Sequence, residues 1–502
     1  MTRFKKLYTM VGAAALMVGS GCGDLEVTNP NNPDIARALA SPADVKNLAV
    51  SSVRSWYLTS THIEPYLAMS VTADAATANF GNFGMRFNNL EPRDPYENLS
   101  AGGDREVARV PWDFNYSALG AANDAIKAIA GGIILPAAGA STAAQQTEAY
   151  RHFAQFAQAA SLMNLALTFD KAFIVDETFD PNGPKPELKP FAEVSAAALA
   201  KWEALAAATA GKPHKYQDAD LPVQGGLTSV RLSRIANTMA AATMAYTPRN
   251  AAQAGAVNWA KVAQLAEKGI GTGSAGAPFD FTIVGTGTQA GGYYSLLMMY
   301  GNLRSWVRID HRLINRMDGT TPPKFNGTVP AKGTSPDARY ESDYLYTGAV
   351  IGDAGRGIYM QSVWFHKRYT CCSWEAANPG TGPTPYLLAA ESDLLRAEAL
   401  IRSGGSRTTA AQLINNSRVG RGELTPLTGA ESDAVLLTAV DYEREVELMF
   451  TNGWDLFRAR HGLVDRLQTG TWRHLPIPAK ELETLGLPIY TFGGATANPS
   501  GI

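Results

Sequence analysis

Asp441–Gly462 reads DYEREVELMFTNGWDLFRARHG, and this stretch decides the fold. Val446, Met449 and Phe450 recur at i, i+3 and i+4, the spacing of one apolar helical face. Glu443 and Glu447 stand one turn apart, with Arg444 beside them. Asn452-Gly453 is a stop signal, because glycine accepts the left-handed backbone that ends a helix. A second amphipathic run follows, with Trp454 and Phe457 set close to Asp455 and Arg458. Spacing alone allows these charges to solvate an exposed face. So much charge around an apolar helix pair also fits a buried or half-buried ion network. On that reading Glu443, Arg444, Glu447, Asp455 and Arg458 clamp two helices together.

The stretch resembles the C-terminal signature of the SusD/RagB family, outer-membrane lipoproteins that capture nutrients. Glu443-Arg444, Glu447-Leu448, Phe450, Gly453-Trp454, Asp455-Leu456 and Arg458 fall on that pattern. Thr451-Asn452 stands where the family usually has a Glu, and the Arg before the tryptophan is missing. The family's L-P-I-P element recurs at Leu475–Pro478, followed by Glu481-Leu482. Residues 387–404, LLAAESDLLRAEALIRSG, are similar to its L-A-E…R-A-E-A helix. The resemblance covers nearly the whole mature chain and is densest over 387–482. It implies a mostly α fold, a tetratricopeptide-like helix-hairpin scaffold with an irregular, loop-rich insertion. It also implies roles for an Asp near Asp74, a D-x-R element at Asp337 and Arg339, and a K-x-Y element at Lys367 and Tyr369.

A chain of 502 residues can bury a large core. Its net charge of -2 gives no reason to expect a nucleic-acid partner. Only 18% of residues are charged and alanine runs are frequent, a mix suited to closely packed helices. Residues 1–21 read as a lipoprotein signal peptide. Arg3, Lys5 and Lys6 precede the short apolar run Leu7–Val18, and Gly19-Ser20-Gly21 leads to Cys22. Gly19 departs from the aliphatic residue usual there. The apolar run is short for a membrane span, and no other segment is long enough, so attachment is expected through lipid on Cys22. Residues 22–40 form a polar Asn/Pro-rich tether, and 41–502 form a single domain. Export makes a disulfide chemically available to Cys371 and Cys372. The geometry of a bridge between neighbours nonetheless favours two packed thiols.

Ser41-Pro42 opens a helix, with proline at its first position, that runs past Trp56 and Tyr66 to about Asp74. Phe80–Glu106 is too long and irregular for a plain connector. Helices are predicted at Trp112–Ala130, Glu148–Phe169, Phe191–Ala210, Ser229–Tyr246, Asn258–Gly269 and Tyr386–Ser403. No clean 34-residue repeat is visible, so the helix-pair scaffold rests on the resemblance. Residues 279–385 are Gly-rich, aromatic and poor in helical pattern, and the resemblance makes this insertion much of the ligand face.

Aromatic side chains outside periodic segments are the candidate ligand contacts, because an exposed ring offers large contact area at small entropy cost. They are Tyr293, Tyr294, Trp306, Trp364 and Trp374, with Phe80, Phe83 and Phe87 as weaker candidates in the earlier loop. The competing reading puts each in the core. Gly285–Ala290 superficially resembles a dinucleotide-binding turn, yet no helix or suitably spaced acid follows. HExxH, Walker A and G-x-S-x-G are all missing. Neither a metal nor a cofactor is expected. The acidic pairs Glu443/Glu447 and Glu391/Glu398 lie beside arginines, and a carboxylate so paired has a depressed pKa. That suits a scaffold better than a general acid.

The expected protein is therefore a non-enzymatic binding lipoprotein of the outer membrane. The resemblance implies a SusC/RagA-like TonB-dependent transporter as partner, with this chain as its lid, and an oligosaccharide or peptide as cargo. The alternative is a helical-repeat surface scaffold that binds a protein partner without transport. Its mark would be aromatics of 279–385 packed inward beside a broad concave helical face. A glycan-degrading enzyme would need two carboxylates about 5–10 Å apart in an open cleft.

Overall fold

The structure, a computed structural model, describes residues 39–81, 84–180, 182–212, 216–286, 292–300, 307–373, 376–461, 463 and 466–502. The signal peptide, Cys22 and most of the tether lie outside these residues, as do Phe83, Trp306 and Trp374.

The scaffold is a series of helices. These are α1 (Pro42–Ser60), α2 (Ile63–Thr72), α3 (Arg105–Ala130), α4 (Ala143–Thr168), α5 (Phe191–Thr209), α6 (Ser229–Tyr246) and α7 (Trp259–Glu267). α1 and α2 both pack on α3, and each helix from α3 to α7 packs on the next. After a long interruption come α8 (Ala389–Arg402), α9 (Arg407–Arg418), α10 (Asp433–Glu447) and α11 (Asp455–Arg460). α7 packs directly on α8, so the scaffold closes as though the intervening chain were absent.

Local chemistry starts these helices. Ser41 caps α1, accepting from Asp44 N, with Pro42 at the first position. Thr142 and Gln145 form a reciprocal capping box at α4. Alanines line α4 on several sides, and Ala149, Ala154, Ala157, Ala160 and Ala166 are all buried. With no bulk beyond Cβ they let α3 and α5 approach from either flank.

The structure differs from the expected boundaries in several places, α4 for one starting at Ala143 rather than Glu148. The first predicted helix is two, broken at Thr61-His62. α3 begins at Arg105 rather than Trp112, carrying Pro111 inside it. Proline there supplies no N–H, and Asn115 Nδ2 donates to the Pro111 carbonyl at 2.6 Å. Tyr386, expected to open a helix, lies near the end of a strand instead. Its ring packs edge-on against Trp56 at 4.9 Å, and α8 starts after it at Ala389.

Strands are short and mostly close the insertion. β1 (Ala76–Thr77) pairs with β5 (Arg308–Ile309), β2 (Lys171–Phe173) with β3 (Leu188–Pro190), and β6 (Tyr344–Tyr346) with β7 (Trp364–His366). β4 (Phe281–Thr286) lies antiparallel to β8 (Thr381–Leu387) and ties the two ends of the insertion together. β4 precedes the Gly-rich turn and sits in an antiparallel pair, not the parallel unit a dinucleotide site uses.

Cys371 and Cys372 form a disulfide, correcting the expectation of two packed thiols. They sit in a turn where Gly380 N donates to Cys372 O at 2.9 Å. Cys372 is buried, and a Cβ on Gly382 would approach its sulfur to 2.4 Å, so glycine makes room for the pair.

Gly453 is another glycine with a demanding place. Its φ is +69°, and a Cβ there would lie 1.5 Å from Tyr66 Cδ1 in α2. Gly453→Ala is expected to cost more than about 3 kcal/mol in urea unfolding, because strain and overlap add. A change within about 0.5 kcal/mol would contradict this packing.

Candidate functional site

The charged residues of the opening stretch lie inside the protein and point in opposite directions. Glu443 and Glu447 face the insertion, where both accept from Arg339 Nη1, at 2.7 and 3.2 Å. Asp337 accepts from Arg339 Nε at 2.9 Å and Nη2 at 2.7 Å, so the D-x-R element supplies both the cation and a third carboxylate. The side chains of Arg339, Asp337 and Glu443 are fully buried. On the opposite side Arg444 Nη1 donates to Glu398 Oε2 at 2.6 Å. Arg458 bonds Glu391 and also reaches Asp455 and Asn452. Glu391 and Glu398 stand two turns apart on α8, so that one helical face receives both arginines. Tyr369 of the K-x-Y element donates to Phe450 O at 2.6 Å, and Lys367 Nζ reaches Glu341 O at 2.7 Å.

Burial pushes Glu398 toward the neutral acid, but Arg444, His461 and Arg402 outweigh it and hold the carboxyl far below its usual range. Glu443 goes the other way. Burial raises it in spite of Arg339, which corrects the expectation that an arginine neighbour depresses every one of these acids. His461 bonds Glu398 Oε1 at 3.1 Å, and His474 lies between Arg249 and Gly501 O. Both histidines are buried. Among the described residues no group of three or more His, Cys, Asp and Glu side chains could hold a metal ion.

The aromatic candidates do not form one face. Trp364 is 0% exposed and lies between Tyr340 and Tyr346, with ring centroids 4.9 and 5.2 Å away. Tyr293 is buried too, with its hydroxyl on Asp220 O at 2.6 Å and its ring against Tyr57. Both are core residues, which corrects their assignment to ligand contact. Tyr294 is half-buried with its ring over Gly380, and Phe80 is half-buried against the main core.

An open groove lies elsewhere, where the loop 87–104 meets the C-terminal segments 471–472 and 489–491. Its volume is about 530 Å³. Phe87, Leu99 and Ile489 line it while remaining 48%, 51% and 43% exposed, unusually much for large apolar side chains. Tyr96 and Trp472 form buried parts of the wall. The groove is built rather than incidental. Tyr96 N donates to Phe492 O at 2.9 Å, and Asn98 Nδ2 donates to Ile477 O and Tyr490 O, both at 2.9 Å. Arg93 bonds Asp74 Oδ1 at 2.8 Å and so ties the loop to the end of α2. Asp74, singled out by the resemblance, also accepts from Gln468 Nε2 at 2.9 Å.

Among the groove residues sequence reasoning named only Phe87. The irregular length of 80–106 was a signal for half of the groove. Nothing local marks Trp472 or Ile489, whose role comes from where the C-terminal segment returns.

Comparison with known proteins supports the fold. No family model matches the sequence, and no curated relative matches it. Solved structures do match. A SusD homologue from Bacteroides thetaiotaomicron is 13% identical over 88% of this chain and 95% of its own, with a TM-score of 0.60. A laminarin-binding SusD-like protein is 16% identical over 90% and 99%, with a TM-score of 0.57. Surface glycan-binding protein A from Bacteroides uniformis is 16% identical over 88% and 98%, with a TM-score of 0.58. This chain has the SusD-like fold, a mostly α helix-pair scaffold interrupted by a loop-rich insertion.

Glu398→Gln leaves Arg444 buried with half its partner and is expected to cost about 3–5 kcal/mol in urea unfolding at pH 7. Because the folded pKa is depressed, wild-type stabilisation is complete above the unfolded value near 4.5 and is lost as pH falls below it. The gap between variant and wild type therefore narrows in acid. A gap independent of pH would assign the loss to packing instead.

Proposed function

We propose that this protein is a SusD-like glycan-binding lipoprotein that captures oligosaccharides at the outer membrane. In this reading lipid on Cys22 anchors it, and a TonB-dependent transporter beneath it receives the cargo, with this chain as the lid. The observation that carries the reading is an open, aromatic-walled groove on a SusD-like fold. Two structural neighbours are described as laminarin-binding or glycan-binding, which favours a sugar over a peptide as cargo. The groove has the mixed character that sugar recognition uses, with flat apolar rims for ring faces and carboxylates for hydroxyls. Among the described residues no helix is long and apolar enough to cross a membrane.

The reading is tested by isothermal calorimetry of the purified mature chain with oligosaccharides, alongside peptides of matched length. Phe87→Ala and Leu99→Ala are expected to weaken oligosaccharide binding about tenfold each, the loss of one large apolar contact. Both side chains project from the surface, so the melting temperature is expected to stay the same. Binding of peptides but of no oligosaccharide would overturn the reading.

The scaffold alternative has one observation in its favour, because Tyr293 and Trp364 of the insertion pack inward. A second, alanine-lined groove of about 520 Å³ lies between α5, α6 and α7, with Val230 43% exposed at its edge. If the Phe87 and Leu99 variants left every ligand unaffected while Val230→Glu abolished binding to a protein partner, the scaffold reading would replace capture.

A further inference from the structure

Asp104 is the one groove residue whose placement the fold leaves unexplained. It is only 4% exposed and lines the cavity. It occupies the N-cap position of α3, yet its side chain makes no capping bond. Only its backbone carbonyl is used, accepting from Tyr96 OH at 3.1 Å. The carboxylate has no hydrogen-bond partner among the described residues and is open to the groove, so what satisfies it must come from there. Burial, reinforced by the nearby Glu97 charge, pushes the Asp104 carboxyl up to about 6.

The groove around it has acceptors and few free donors. Arg93 spends its guanidinium on Thr471, Asn88, Leu90, Thr72 and Asp74. Trp472 Nε1 donates to Asn88 Oδ1, the Asn88 amide to Gly84 O, and Tyr490 OH to Asp170. Carboxylates therefore set the polarity. Glu97 takes one bond from Gly103 N at 3.1 Å, and Asp94 lies on the same wall. The cation next in sequence, Arg105, is paired with Glu106 at 3.0 Å. A ligand that fits this lining must donate hydrogen bonds and bring positive charge, and it must also cover the apolar rim.

We propose that this groove selects oligosaccharides bearing free amino groups, the deacetylated hexosamines, with an ammonium against Asp104 and sugar faces over Phe87 and Leu99. The inference rests on the glycan capture proposed above and adds the chemical class of the cargo. The ammonium supplies the partner Asp104 lacks, and a sugar ring keeps the flat face the rim offers. Neutral sugars would satisfy the rim but leave the carboxylate with weaker, uncharged donors.

The test is calorimetry of the full mature chain with a glucosamine hexamer, its fully N-acetylated counterpart, a neutral laminari-hexaose and tri-lysine. At pH 7 the glucosamine hexamer is expected to bind at least about tenfold tighter than the N-acetylated one, the worth of one charge-assisted pair. Asp104→Asn is expected to equalise the two, and Glu97→Gln to narrow the gap. Between pH 7 and pH 5 glucosamine binding is expected to weaken about tenfold. Asp104 takes up its proton over that range, while the amine stays charged at the lower end. The other titratable groups of the groove, Asp94, Glu97, Tyr96 and Tyr490, are the ones whose substitution would reveal a different origin for that change.

A second readout needs no ligand. The folded carboxyl holds its proton more tightly than the unfolded one, so stability falls as pH rises from about 4 to 6. At pH 8 Asp104→Asn is therefore expected to melt about 2 °C above wild type. A lower melting temperature would make Asp104 a structural residue and overturn the proposal. Equal binding of the acetylated and free hexamers would overturn it while leaving glycan capture standing. Binding of no oligosaccharide would remove both. Tri-lysine bound as tightly as the glucosamine hexamer, or a hexamer recovered in shorter pieces, would also overturn it.

Discussion

Arg339 has no exposed side-chain surface and sits among three carboxylates contributed by two distant parts of the chain. A guanidinium in that position costs several kcal/mol of lost hydration unless it is fully paired. Asp337 comes with it from the insertion, while Glu443 and Glu447 come from α10. The insertion can therefore bury this arginine only by docking on the C-terminal helices in one register. Arg444 and Arg458 impose the same condition on the other side, where Glu398 and Glu391 wait on α8. Removing any one member strands the others, so the network fixes a geometry more than it adds net stability.

That geometry reaches the groove through a second set of charges. Asp74, at the end of α2, holds Arg93 and Gln468 together. Ser70 of α2 donates to Asp455 Oδ2 at 2.6 Å, so the helix that leads to Asp74 is itself fastened to α11. The loop and the C-terminal segment that make the groove are thus held by groups buried behind it. The exposed side chains of Phe87, Leu99 and Ile489 stand on this support rather than on free loops, which is the arrangement a preformed binding surface needs.

The sequence made much of the scaffold visible and little of the site. Ser229–Tyr246 was readable to its ends because Thr228 caps it and its apolar period is unbroken. α3 was started at Trp112, although the helix already runs from Arg105 and carries Pro111 inside it. The charge pattern around Glu443 allowed both a solvated face and a buried clamp, since spacing carries no information on depth. The same holds for the aromatics. Trp364 lies in a short strand between two tyrosines that are far from it along the chain, so nothing in its neighbourhood says core. Asp104 is the extreme case. What marks it is the absence of a partner in space, and no stretch of sequence records that.

The account stands or falls on capture followed by hand-over. The most direct measurement is to purify the protein from gently solubilised native outer membranes and identify what accompanies it. The account predicts a large β-barrel transporter in near-equal amount, released together with this chain. A soluble or surface protein in that place, with no barrel, would contradict it.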